Sequence, residues 1–220
     1  MRRVPLSRYS FPMRILAIET SCDETAAAVV EDDTKVLSNV IASSKDAYQT
    51  LGGVIPEIAA RRQIECIHPV IDQALKEAEC TSTMLDALAV TKGPGLLGSL
   101  LVGTTTARAL ASLWNKPLIG VHHTLGHLSS TWLDTPDAPV YPLLTLSASG
   151  GHTELWYRTS HTQGRLLGST RDDAAGEAFD KGAAMLGLPY PGGPSIAKAA
   201  EGGHPDAFPF PLPLKKEDAL

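Results

Sequence analysis

The order and spacing of its apolar runs constrain this chain more than any other feature. Residues 14–19 (RILAIE), 26–31 (AAAVVE) and 36–42 are short apolar runs, the first two separated only by the polar turn TSCDET. Three such runs with short turns predict an antiparallel meander. The period then changes. Ile67, Val70, Ile71, Ala74, Leu75 and Ala78 recur at helical spacing inside the stretch 55–79, the stripe of an amphipathic helix. His68-Pro69 stands within it, and a proline there kinks the helix or divides it in two. Residues 86–91 read as a strand, 100–114 as a helix, and 117–121 as a strand that feeds a segment beginning His122-His123. Residues 140–148 and 153–157 form a second strand pair about Gly150-Gly151, 165–169 continue it, and 174–186 are helical.

A meander followed by strand–helix alternation makes an α/β fold with a mixed sheet covered by helices. The same opening restarts near Val140, which predicts two related lobes, with a boundary in LDTPDAP (residues 133–139) and a cleft between them. The first lobe is expected over 13–134 and part of the second over 135–220. This plan resembles the duplicated ribonuclease-H-like lobes of the actin, sugar-kinase and Hsp70 superfamily, with the second lobe incomplete.

Composition sets the outer limits. With 43% hydrophobic and 20% charged residues among 220, the chain buries a core, and disorder or coiled coil fails as a whole-chain description. No run approaches the ~20 apolar residues of a bilayer span, so no membrane is expected. A net charge of −5 gives no global attraction to phosphate, and nucleic-acid binding then needs a local patch such as Arg61-Arg62 or a partner. Aromatics at 5% disfavour a base-stacking sheet. Cys22, Cys66 and Cys80 form no CxxC, which favours a reducing compartment.

The ends are unlike the rest. Residues 1–12 carry Arg2, Arg3 and Arg8 without an acid, as a mitochondrial targeting peptide does, but Pro5 and Pro12 interrupt any helix and Met13 is itself a plausible start. The expectation is a disordered extension and a cytoplasmic protein, with a mitochondrial address left open. From Gly202 the chain is proline-spaced and without periodicity.

Several motifs bear chemistry. His123 and His127 stand at i and i+4, where two imidazoles on one helix face chelate one transition metal; chance pairing on a surface fits the same spacing. Thr124 occupies the place of the general base in a zinc-protease H-E-x-x-H motif. Ser147, Ala148, Ser149, Gly150 and Gly151 form a small-residue turn between strands, suited to cradling an anion and equally to closing a tight hairpin. Lys92-Gly-Pro-Gly95 opens a helix without the spacing of a Walker A loop. The turn from Glu19 to Thr25 reads by default as exposed and polar, with Cys22 as small filler. Asp173, Glu177 and Asp180 recur at i, i+4 and i+7, so they face one cleft or form a solvated helix face.

Taken in order, IETSCDET, GGVIPEIAARR, TKGPGLLGSLLVG, HHTLGH, SASGGHTEL and DDAAGEAFDKGAAMLGLPYPGGP closely resemble the tRNA threonylcarbamoyladenosine biosynthesis family TsaD, once described as O-sialoglycoprotein endopeptidases. The resemblance implies an acyltransferase that moves the threonylcarbamoyl group from threonylcarbamoyl-AMP to N6 of adenosine 37 in tRNAs reading ANN codons. It implies that His123 and His127 ligate one divalent metal, iron in preference to zinc. The Ser147–Gly151 turn, Asp180 and Gly193 would contact the adenylate. In bacteria it further implies a shorter paralogue and a P-loop ATPase as partners. The family's third metal ligand, an aspartate, and an asparagine of the adenylate site would fall beyond Leu220, so the expectation is a chain truncated inside the second lobe, with weak metal binding and activity left open. Leu125 occupies a position often acidic in relatives. The alternatives are a catalytically inactive nucleotide-binding partner, which the two histidines oppose, and a metallo-endopeptidase, which lacks its glutamate base.

Overall fold

In the computed structural model, residues 12–43 and 55–211 are described. The arginine-containing extension before residue 12, the GGV that begins the GGVIPEIAARR motif and residues 212–220 lie outside them. Two compact units divide the chain, Met1–Ala138 and Pro139–Leu220.

In the first unit, alternating burial fixes which face of the sheet is covered. Strand β1 (Arg14–Glu19) buries Leu16 and Ile18, and β2 (Thr25–Glu31) buries Thr25, Ala27, Val29 and Glu31. That period of two puts one row of side chains under the helices. With β3 (Lys35–Ala42) these strands form the predicted antiparallel meander. Strands β4 (Ala87–Gly93) and β5 (Leu118–His122) then add in parallel on the β1 side, giving the order β3-β2-β1-β4-β5. Two helices cover the apolar row. Helix α1 (Pro56–Glu77) packs on β2 and β3, and α2 (Leu97–Trp114) packs on β4 and against α1.

Helix α1 runs through Pro69 without dividing, which settles the alternative left open by the sequence. Pro69 and Glu65 are both exposed, so the carbonyl that loses its i+4 donor faces water. The buried row on α1 is Ala59, Gln63, Ile67, Val70, Ile71 and Ala74. On α2 it is Ser99, Gly103, Ala107 and Ala111, small residues at every fourth position that let the helix lie close to the sheet. Between β5 and the unit's end lies a short helix, α3 (His123–Ser129).

The second unit holds an antiparallel sheet in the order β6-β7-β8, built from β6 (Leu143–Ala148), β7 (Thr153–Arg158) and β8 (Gly164–Ser169). Helices α4 (Ala175–Met185) and α5 (Gly192–Ala199) follow and pack on each other. The sequence reading ended its helices at residue 186 and did not predict α5, whose first turn holds Pro194, where proline is tolerated. Among the described residues no helix is long and apolar enough to cross a membrane.

Candidate functional site

In the first unit the chemistry gathers where β5 runs into α3. A helix turn places His127 above His123, and their Nε2 atoms lie 3.0 Å apart with the rings edge to face. The other nitrogen of His123, Nδ1, lies 3.2 Å from Glu19 Oε2 and 3.0 Å from Ser21 Oγ. Glu19 ends β1 and Thr91 lies on the neighbouring parallel strand β4, whose hydroxyl donates to Glu19 Oε2 at 2.5 Å. The Ser21 N–H donates to Glu19 Oε1. Burial pushes the Glu19 carboxyl up, but the hydrogen bonds from His123, Ser21 and Thr91 outweigh it and hold the group at about 2.

The turn between β1 and β2 is not the exposed polar turn expected by default. Thr20, Ser21 and Thr25 are buried. Thr20 Oγ1 donates to the Ser99 carbonyl at 2.8 Å, and the Leu96 N–H donates to the Ser21 carbonyl at 2.7 Å. Gln63 Nε2 donates to the carbonyls of Cys22 and Glu24, and Ser99 Oγ also donates to Cys22. Side chains from α1 and α2 thus clamp the loop that carries Ser21. Cys22 itself is exposed, and desolvation by the surrounding turn, then the Asp23 carboxylate, push its thiol up to about 11, which opposes a role as nucleophile.

The two imidazoles fit a divalent transition metal as two of its ligands. Their Nε2 atoms lie 3.0 Å apart, and neutral imidazole nitrogen is the donor such ions favour. Among the described residues no cluster of three or more His, Cys, Asp or Glu side chains completes the set. Glu19 does not, since it meets His123 on the opposite nitrogen.

In the second unit the Ser147–Gly151 segment closes the β6–β7 hairpin. Ser149 N–H donates to the His152 carbonyl at 2.8 Å, and the His152 N–H returns a bond to Ser149 Oγ at 3.0 Å. The start of α4 docks on this turn: the Gly176 N–H donates to the Ser149 carbonyl at 3.0 Å, and Ala175 N–H to Thr153 Oγ1 at 2.8 Å. A β-carbon on Gly176 would stand 2.7 Å from the Gly150 nitrogen, so backbone meets backbone there. One helical turn further on, Asp180 Oδ1 accepts the N–H of Gly192 at 2.6 Å, at the start of α5. Gly193 follows, with no atom within 4 Å of the position its β-carbon would take.

The predicted residues of the second unit therefore gather along one path: turn, α4, Asp180, the start of α5 and Gly193. Asp173 and Glu177 do not join Asp180 in a shared carboxylate face. Both pair with Lys181, at 2.7 and 3.0 Å, on the exposed side of the helix. Sequence reasoning missed Glu19 and Ser21 as partners of His123. They lie about a hundred positions away in the chain, and only the acid-and-hydroxyl content of ETSCDET marked them.

Comparison with known proteins covers most of this chain. Residues 35–220 match the family described as "TsaD: tRNA N6-adenosine threonylcarbamoyltransferase". A tRNA N6-adenosine threonylcarbamoyltransferase of Moorella thermoacetica is 55% identical over 206 residues, which is 94% of this chain and 60% of the relative. The protein of the same name from Thermomicrobium roseum is 55% identical over 204 residues, 90% of this chain and 56% of the relative. The chain thus spans about three fifths of the length of these relatives. Among solved structures, the ethanolamine utilization protein EutJ from Carboxydothermus hydrogenoformans is similar at a TM-score of 0.50 and 12% identity, over 86% of this chain and 62% of that one. That likeness is one of fold. With the strand orders above, it agrees with the α/β class that the order of apolar runs predicts.

Proposed function

The chain belongs to the TsaD family of tRNA N6-adenosine threonylcarbamoyltransferases, and from that premise we propose that it serves the transfer of a threonylcarbamoyl group from threonylcarbamoyl-AMP to N6 of adenosine 37 in tRNAs reading ANN codons. One observation carries the reading from family to chain: the Nε2 atoms of His123 and His127 converge to 3.0 Å on a helix that starts straight off a strand.

His123 and His127 would hold one divalent metal, iron in preference to zinc. The preference for iron comes from the family the chain belongs to, and the two imidazole nitrogens are donors that such an ion accepts. Bound there, such an ion supplies Lewis acidity toward an oxygen of the activated carbamoyl group.

The second unit supplies the adenylate contacts. The Gly150-Gly151 turn and Gly193, none with an atom where a β-carbon would stand, let a phosphate approach the backbone closely. Asp180 already accepts one N–H through Oδ1, which fixes its carboxylate, and its second oxygen is the acceptor for a ribose hydroxyl. Acceptor tRNA meets a chain of net charge −5, so its affinity rests on local cations. Arg61 is engaged with Glu57 at 2.9 Å, and Arg62 beside it is exposed. We place the protein in the cytoplasm, with a shorter paralogue and a P-loop ATPase as its partners.

The test supplies synthetic threonylcarbamoyl-AMP, Fe2+, the shorter paralogue, the P-loop ATPase and unmodified tRNA to the full chain, and analyses the nucleosides of the recovered tRNA. Threonylcarbamoyladenosine is expected with the wild type and lost with His123→Ala. AMP binding without transfer would replace this reading with that of a nucleotide-binding partner.

A further inference from the structure

We propose that Glu19 is the positioning residue for His123: its carboxylate takes the Nδ1 proton of the imidazole in a hydrogen bond and so fixes the tautomer whose Nε2 lone pair faces His127. The proposal deepens the metal reading above and rests on it for its consequence, though not for its geometry.

An ionised carboxylate only accepts hydrogen bonds. Glu19 accepts from the Ser21 N–H through Oε1 and from the Thr91 hydroxyl through Oε2, and His123 Nδ1 stands beside Oε2. At 3.2 Å from that oxygen, Nδ1 must carry the proton, because a bare ring nitrogen would set a lone pair against a negative charge. The Ser21 hydroxyl, 3.0 Å from the same nitrogen, cannot impose this choice, since a hydroxyl donates as readily as it accepts. With Nδ1 protonated and the ring neutral, Nε2 is bare and points at His127 Nε2, 3.0 Å away. In the metal-free protein His127 then donates from its own Nε2, so the two rings are opposite tautomers. A carboxylate behind a ligating histidine in this way orients the ring and raises its basicity, and losing it costs about 10–100-fold in metal affinity.

The fold explains why the residue is at position 19. Strand β1 ends beside β4, β4 lies beside β5, and β5 leads directly into His123. The carboxylate therefore reaches His123 across the top of one intervening strand, held there by Thr91 of that strand.

The test reads tautomers directly. Long-range 1H–15N correlation on the metal-free full chain, at a pH above the histidine range, should show His123 protonated at Nδ1 and His127 at Nε2. Affinity for Zn2+ and Co2+, by competition with a chromophoric chelator, should fall about 10–100-fold in Glu19→Ala. The His123 signal should move toward the Nε2-protonated form in the same variant. Glu19→Gln keeps one neutral acceptor and should retain the wild-type tautomer with intermediate affinity. Glu31→Gln, a destabilising change at the far end of β2, should move neither readout. Wild-type His123 protonated at Nε2 overturns the proposal, as does a folded Glu19→Ala variant that binds Zn2+ within about twofold of wild type. If the wild type binds neither ion, the metal reading fails, and the tautomer measurement still decides the role of Glu19.

Discussion

The N–H of Gly192 meets Asp180 Oδ1 at 2.6 Å, so a carboxylate on α4 closes the first turn of α5. A helix start carries unpaired N–H groups, and α5 has no side-chain cap of its own at Pro191. Asp180 supplies the acceptor from another helix. The Phe179 carbonyl approaches so closely that a β-carbon on Gly192 would overlap it. The adenylate reading thus gives Asp180 two duties, one within the fold and one toward a ligand, and they separate by substitution.

Asp180→Ala leaves the Gly192 N–H without its acceptor and should cost about 1–2 kcal/mol in urea denaturation. AMP binding, followed by calorimetry, should weaken as well. Asp180→Asn keeps an oxygen for Gly192 and should hold most of the stability, while its amide donates where a ribose hydroxyl needs an acceptor. Equal AMP affinity in the Asp180→Asn variant and the wild type would remove Asp180 from the ligand site.

Two glycines predict opposite outcomes. A β-carbon on Gly176 meets the Gly150 nitrogen at 2.7 Å, so Gly176→Ala must part α4 from the β6–β7 turn, at about 1–3 kcal/mol. Gly193 has open space where its β-carbon would go, so Gly193→Ala should leave the thermal midpoint almost unmoved. If an adenylate lies against that backbone, the same methyl group should lower AMP affinity at least about tenfold. A Gly193→Ala protein that melts early would show that the glycine serves the fold.

Cys22 should be inert toward alkylation. The side chain is exposed, but desolvation by the turn and the Asp23 carboxylate push its thiol up to about 11, far above the ordinary thiol value of about 8.5. Mass spectrometry after brief iodoacetamide treatment near pH 7.5 should find it modified far more slowly than a model thiol, and Cys22→Ser should transfer as well as wild type. Rapid labelling would contradict the assigned environment.

How much of this was legible beforehand depended on the range over which each signal acts. The meander, the α1 stripe from Ile67 to Ala74 and the α2 helix follow from periodicity, a local property, and they stand as read. Pro69 remained ambiguous because only the helix's orientation shows that the freed carbonyl faces water. The histidine pair was visible as a spacing, whereas the carboxylate behind it was not. Glu19 reaches His123 through the strand order β1-β4-β5, which sequence periodicity does not encode at single-residue register. For Asp173 and Glu177 spacing left a shared cleft or a solvated face open, and the pairs with exposed Lys181 favour the solvated one.

The pH dependence of stability should trace to Glu31. This residue is buried, yet hydrogen bonds from Lys35 at 2.8 Å and Arg14 at 2.9 Å hold its carboxyl below the ordinary range, against the opposing effect of burial. The folded protein therefore binds this proton less readily than the unfolded chain, where glutamate titrates at about 4.3. Its stabilisation is complete above that value and is lost as the pH falls through the lower folded value. Glu31→Gln removes the charge at every pH while keeping the size. The difference in urea midpoint between wild type and this variant should be constant from about pH 7 to 5, then shrink below about pH 4 as the wild-type carboxyl takes up its proton. A difference that stays undiminished down to about pH 3 would mean that the folded carboxyl is not held below the unfolded one, and that the charge pairs with Arg14 and Lys35 contribute nothing to folding.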